Sequence, residues 1–108
     1  YKKAQRVRRL ILEDFKQAFT KVDAILTPAT PNSAFPIDSS KDLTSQDPIK
    51  IYLNDMFTIP ANLAGLPAMS VPAGFDSDGL PLGLQIISKH FDEQTMLNVA
   101  LAIEESLK

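Results

Sequence analysis

Cysteine is missing from this 108-residue chain, which rules out both disulfide cross-links and thiolate catalysis. Histidine occurs once, at His90, too few for a His-rich metal site. A phosphate-cradling loop needs glycines clustered ahead of a helix, and the four present are scattered at 65, 74, 79 and 83. No apolar run approaches the roughly 20 residues that span a bilayer. The formal net charge of -2 gives no global pull toward nucleic acid or anionic lipid. Serines are available, yet none sits in the G-x-S-x-G elbow that exposes a hydrolase nucleophile.

What remains is an ordinary globular composition, 44% hydrophobic and 22% charged. The length suits one domain spanning residues 1–108 and not two. So short a chain leaves much of its surface exposed, and its stability is expected to depend on a neighbour. The first residues, Tyr1-Lys2-Lys3-Ala4-Gln5-Arg6, are polar and helical in character, unlike a secretory signal. A start on Tyr1 in mid-helix suggests a piece of something longer.

Ala4, Val7, Leu10, Ile11, Phe15, Ala18, Phe19 and Val22 follow the spacing of one helical face, with Lys2, Arg6, Arg9 and Lys16 largely outside it. Ala24-Ile25-Leu26-Thr27 reads as a short buried strand stopped at Pro28. Residues 28–47, with prolines at 28, 31 and 36, read as a long loop. Asp47 as N-cap and Pro48 in the first turn restart a helix, which runs through Ile51, Tyr52, Asp55 and Met56 until Pro60 ends or kinks it. A short turn over residues 61–64 stops at Gly65. Two apolar runs, 68–72 and 82–87, flank the turn signal Asp76-Ser77-Asp78-Gly79 and predict an antiparallel hairpin. Pro72 then belongs at an edge or a bulge. The last helix is capped by Asp92, with Phe91 placed to staple onto Met96. Met96, Leu97, Ala100, Ile103 and Leu107 form its expected buried stripe. The order is helix, strand, helix, hairpin, helix: an α/β piece with a three-stranded, unfinished sheet.

Three features bear on chemistry. The basic run Lys2, Lys3, Arg6, Arg8, Arg9 can touch phosphates or simply solvate a helix face, and it lacks the interleaved aromatics that base stacking needs. His90, alone at a strand–helix junction, reads as a surface or capping residue. Asp55 differs from both. It is a carboxylate among Tyr52, Leu53, Met56 and Phe57, just before a proline. Burying an unpaired carboxylate is costly, so such a group has a cationic partner or faces a cleft. An arginine or the ammonium of a bound substrate would serve equally well.

Residues 52–72, containing Leu53-Asn54-Asp55 and Asn62-Leu63-Ala64-Gly65-Leu66-Pro67, resemble the amidase-signature enzymes. Residues 79–87 and then Lys89-His90-Phe91-Asp92-Glu93 continue the likeness, as do residues 3–8 and 26–31. The Asn62–Pro67 run is shared across the superfamily. The Leu53-Asn54-Asp55 context points to the branch whose members hydrolyse glutamine within a tRNA-dependent amidotransferase.

The resemblance implies a C-terminal portion of an α/β/α sandwich around a mixed sheet. It also implies a Ser–cis-Ser–Lys triad in a glycine- and serine-rich signature that nothing here matches, so the segment alone is expected to be inactive, with no catalytic residue, metal ligand or cofactor site of its own. By the same resemblance Asp55 holds the α-amino group of the substrate glutamine. The family's carboxylate-binding arginine lies upstream, and Arg6, Arg8 and Arg9 do not inherit its role. Ammonia passes to another member of a heterotrimeric complex, which uses ATP and Mg to amidate glutamate carried on tRNA. The implied setting is cytoplasmic or organellar, without a membrane, and the isolated piece is expected to self-associate. Two other readings stand beside this one: an amidase of the same family acting on a different amide, and a non-catalytic interaction module using the proline-rich loop and basic helix.

Overall fold

A computed structural model describes residues 1–34 and 55–107. Its elements are α1 (Lys2–Ala18), β1 (Ala24–Pro28), α2 (Ile59–Ala64), β2 (Ala68–Phe75), β3 (Pro81–Ser88) and α3 (Glu93–Ser106). The strands form one antiparallel sheet in the order β1-β3-β2, so the last strand in sequence is the central one. Among the described residues no strands pair in parallel, and the parallel part of a mixed sheet has no counterpart in them.

Strand alternation divides the core. Ile25, Thr27, Ala68, Ser70, Gln85 and Ile87 occupy one face, because Ile25 pairs with Ile87 and Thr27 with Gln85. Ile87 packs there with Phe19, Ala61, Ala64 and Leu66, against Ile11, Leu12 and Phe15 of α1. Val71 and Ile86 point the other way, onto Met96 and Ala100 of α3. Helices therefore cover both faces, and Ile86 and Ile87 are almost fully buried on opposite sides of one strand.

The hairpin turns at Gly79, whose φ of 80° is readily adopted only without a Cβ. The Asp76 carboxylate accepts from the backbone N–H of Asp78 and Leu80, and from the Ser33 hydroxyl across 43 residues. Pro72 lies on an edge strand, beside a register shift between Pro72 and Gly74. Both placements spare the sheet the hydrogen bond that proline cannot donate.

Four expectations need correction. β1 is a strand but not a buried one, with Leu26 51% exposed, and it runs through Pro28, which pairs with Leu84, instead of stopping there. Residues 55–58 are a turn, not helix, and α2 begins at Ile59 with Pro60 in its first turn. Pro60 thus opens a helix instead of ending one, at a position where a missing N–H costs nothing. The helix start expected at Asp47 and Pro48, and most of the long loop, lie outside the described residues. Phe91 does not staple onto Met96: it takes a φ of 60° and leaves its ring 93% exposed. Finally, α3 uses a narrower stripe than expected, with Met96 and Ala100 buried while Leu97 and Leu107 face solvent. Asp92 does cap α3, accepting from the N–H of Thr95 at 3.4 Å and from its hydroxyl at 2.8 Å.

Candidate functional site around Asp55

Asp55 stands at the head of the turn that leads into α2, and it is exposed. Its backbone carbonyl ties the turn together, accepting from the N–H groups of Thr58 and Ile59 at 3.0 Å each and from the Thr58 hydroxyl at 3.1 Å. The carboxylate is not part of that bonding. Among the described residues it pairs with no cation; the ion pairs present are Arg9–Glu13 and Lys89–Asp23, both at the surface. The expectation of a buried carboxylate is not met: the group is exposed, and it has no cationic partner among the described residues.

Behind Asp55 runs a short polar row across the sheet, Thr27–Gln85–Ser70, on the face shared with α1 and α2. Gln85 is only 4% exposed. Its amide donates to the Thr27 hydroxyl at 2.8 Å and to the carbonyl of Phe57 at 2.7 Å, in the middle of the Asp55 turn. Next to the row, a Cβ on Gly83 would lie 2.7 Å from the Ser70 hydroxyl and 3.1 Å from Ala29, so glycine lets these strands and the segment after β1 approach closely. The sequence reading missed this row. The signal was available: Gln85 is as odd among Leu82, Leu84, Ile86 and Ile87 as Asp55 is among its own neighbours.

None of the other expected features forms an ion pair with Asp55 among the described residues. His90 is exposed, near Phe91 at a ring separation of 6.1 Å. Lys2, Lys3, Arg6, Arg8 and Arg9 are all exposed along the first half of α1. A groove of about 340 Å³ lies between α1, β1 and the start of α2, lined by Ile11, Asp14, Phe15, Ala18, Ile25 and Pro60. Its walls are nearly all apolar, which fits a packing surface and offers no convergent polar groups for chemistry. No group of three or more His, Asp or Glu gathers among the described residues. No described helix is long and apolar enough to cross a membrane.

Comparison with known proteins assigns this arrangement. The sequence profile of the Amidase family matches residues 1–97. The chain belongs to the amidase family. Within that family it is 63% identical over 106 residues to the A subunit of glutamyl-tRNA(Gln) amidotransferase from Maricaulis maris (strain MCS10), covering 98% of this chain and 21% of that protein. The same protein of Pelagibacter ubique (strain HTCC1062) is 59% identical over 108 residues, covering 100% and 21%. The chain therefore spans about a fifth of the length of these relatives.

Among solved amidase-family structures, the A subunit of glutamyl-tRNA(Gln) amidotransferase from Thermotoga maritima superposes with a TM-score of 0.75 at 48% identity, covering 84% of this chain and 19% of that one. A 6-aminohexanoate cyclic dimer hydrolase superposes as well, with a TM-score of 0.76, at 25% identity, over 93% of this chain and 23% of its own. Amidase-family proteins named for quite different amides thus share this architecture, and substrate choice has to be sought in side chains.

Proposed function

We propose that this chain is the part of a glutamine-hydrolysing amidase subunit that grips the α-amino group of glutamine, with Asp55 as the gripping residue. The observation that carries the reading is the 63% identity to the A subunit of a glutamyl-tRNA(Gln) amidotransferase, sustained over 106 residues. Asp55 adds the chemistry. An exposed carboxylate at a tied turn can form a charge-assisted hydrogen bond to an ammonium without rearranging the backbone.

In this proposal the nucleophilic serine pair and its lysine lie outside these 108 residues, and the segment alone hydrolyses nothing. Ammonia released from glutamine goes to a partner protein of the complex, which amidates glutamate on tRNA using ATP and Mg. Those two belong to the partner, and the scattered glycines of this chain fit that division. The assembly would work in the cytoplasm or an organelle.

Glutamine hydrolysis tests the proposal in a protein of the relatives' full length that carries this chain, assembled with its partners. A hydrogen bond to a charged group contributes about 1.5–3 kcal/mol, so Asp55→Asn should raise the KM for glutamine roughly 10- to 100-fold. The melting temperature should hold, because the turn is bonded through the Asp55 carbonyl and not its carboxylate. An unchanged KM would remove Asp55 from the pocket.

A second reading is an amidase acting on another amide, since the cyclic dimer hydrolase has the same architecture. It foresees good activity on amides without an α-amine and indifference to glutamine.

A further inference from the structure

We propose that Gln85, braced by Thr27, is a positioning residue that fixes the Asp55 turn against the sheet and thereby sets the preference for amides bearing an α-ammonium. This rests on the assignment of Asp55 to the amino group, and it extends that assignment to residues which do not themselves touch substrate.

The geometry is specific. Phe57 offers a backbone carbonyl, which can only accept, so the group facing it at 2.7 Å is the NH2 of Gln85 and not its carbonyl oxygen. The second N–H of that NH2 goes to the Thr27 hydroxyl at 2.8 Å. Both donors are thus spent on partners 28 and 58 residues away in sequence. Gln85 lies on the central strand and pairs in register with Thr27 on one side and Ser70 on the other, so its backbone is held from both edges.

The turn it grips is fixed at its far end too, where Ala61 and Ala64 of α2 pack with Ile87. Asp55 thus sits two residues before Phe57, and the chain following it is tied to β3 twice, at Phe57 and again at Ala61 and Ala64. At 4% exposure Gln85 leaves little room for water to replace a lost bond to Phe57. An error in the placement of a binding group is amplified in catalysis, since a misplacement of about 1 Å can cost on the order of a hundredfold. Packing alone would be met by an apolar side chain at 85. The paired donors are what tie this site to the Asp55 turn.

The test compares two substrates in the full-length, assembled enzyme: glutamine, and the same γ-amide without the α-amino group. Gln85→Met keeps the side-chain length and removes both donors. The expected result is that the preference for glutamine over the des-amino amide falls about tenfold, mainly through the glutamine KM. On an Asp55→Asn background the same substitution should cause no further loss of preference, because Gln85 acts through Asp55.

If Asp55→Asn abolishes the preference while Gln85→Met keeps it, the positioning role is overturned and the Asp55 assignment survives. If Asp55→Asn leaves the preference intact, both fall together. An additive loss in the double variant would show a general structural effect and overturn the inference. Should Gln85→Met fail to fold, Thr27→Val carries the test, since it removes only the brace. A twofold or greater drop in preference then supports the role, and an unchanged preference overturns it.

Discussion

Phe91 has a φ of 60° while 93% of it lies in solvent, a poor arrangement for a bulky side chain. The left-handed region brings Cβ against the neighbouring carbonyl at a cost of about 1–2 kcal/mol. In this chain the exposed ring offsets little of that. Phe91→Asn should therefore raise the stability of the 108-residue chain by about 0.5–1 kcal/mol, since asparagine tolerates this conformation. Chemical denaturation measures it, and a lower midpoint would show that the ring is anchored after all. The staple between Phe91 and Met96 was a fair expectation from spacing. It fails because the chain leaves β3 through a tight turn, in which the Asp92 N–H donates to the Lys89 carbonyl and the Phe91 side chain is swung outward. Asp55 and Gln85 differ in a related way. A carboxylate among apolar residues attracts notice in the sequence, whereas the significance of Gln85 lies in partners that only folding brings near.

Local chemistry governs the elements, and the hairpin shows it most clearly. The Asp76 carboxyl is held below its ordinary 3.8, chiefly by the Ser33 hydroxyl and then by the Leu80 N–H, with desolvation opposing them and the Asp78 N–H adding least. A carboxyl depressed in the folded state contributes stability that is present above 3.8 and lost as pH falls through the lower folded value. Amide hydrogen exchange at Asp78 and Leu80, normalised for the intrinsic rate, should therefore stay slow above that pH and accelerate below it. Asp76→Ala should show fast exchange at every pH, and equal protection on both sides of the transition would remove the carboxylate from the turn. Turn and cap residues were legible because their effect is local: Gly65 stops α2 at a φ of 69°, Gly79 closes the hairpin and Asp92 caps α3. The start of α2 was not. Pro60 signals a break in either direction, and whether a helix ends before proline or begins with it depends on what the flanking turn is bonded to. Here that turn is held by Gln85 on a distant strand.

At the scale of the molecule, the three strands and three helices of the described residues leave a good deal of apolar surface bare among themselves. Nothing in α1 is fully buried: Val7 and Leu10 remain 49% and 59% exposed, and only its second half reaches the core through Ile11, Leu12 and Phe15. On the opposite side Leu97 and Leu101 are 52% and 55% exposed. Both β1 and β2 are edges of the described sheet, open to further pairing. The isolated 108-residue chain is therefore expected to self-associate, with sedimentation that depends on concentration and is shifted toward the monomer by Val7→Gln together with Leu10→Gln. A monomer at every concentration would contradict this.

Periodicity and turn chemistry along the chain were enough to specify an α/β piece, its first helix, the existence though not the burial of its first strand, the hairpin and the cap of its last helix, because each depends on residues within a few positions of one another. The likeness to amidases was readable in the same way, from contiguous runs such as Leu53-Asn54-Asp55 and Asn62–Pro67. Tertiary structure alone decided that β3 runs down the centre of the sheet, that α1 and α2 share one face with a polar row, and that Gln85 reaches the Asp55 turn. These depend on contacts between residues tens of positions apart, whose hydrogen bonds and packing exist only once the sheet has formed.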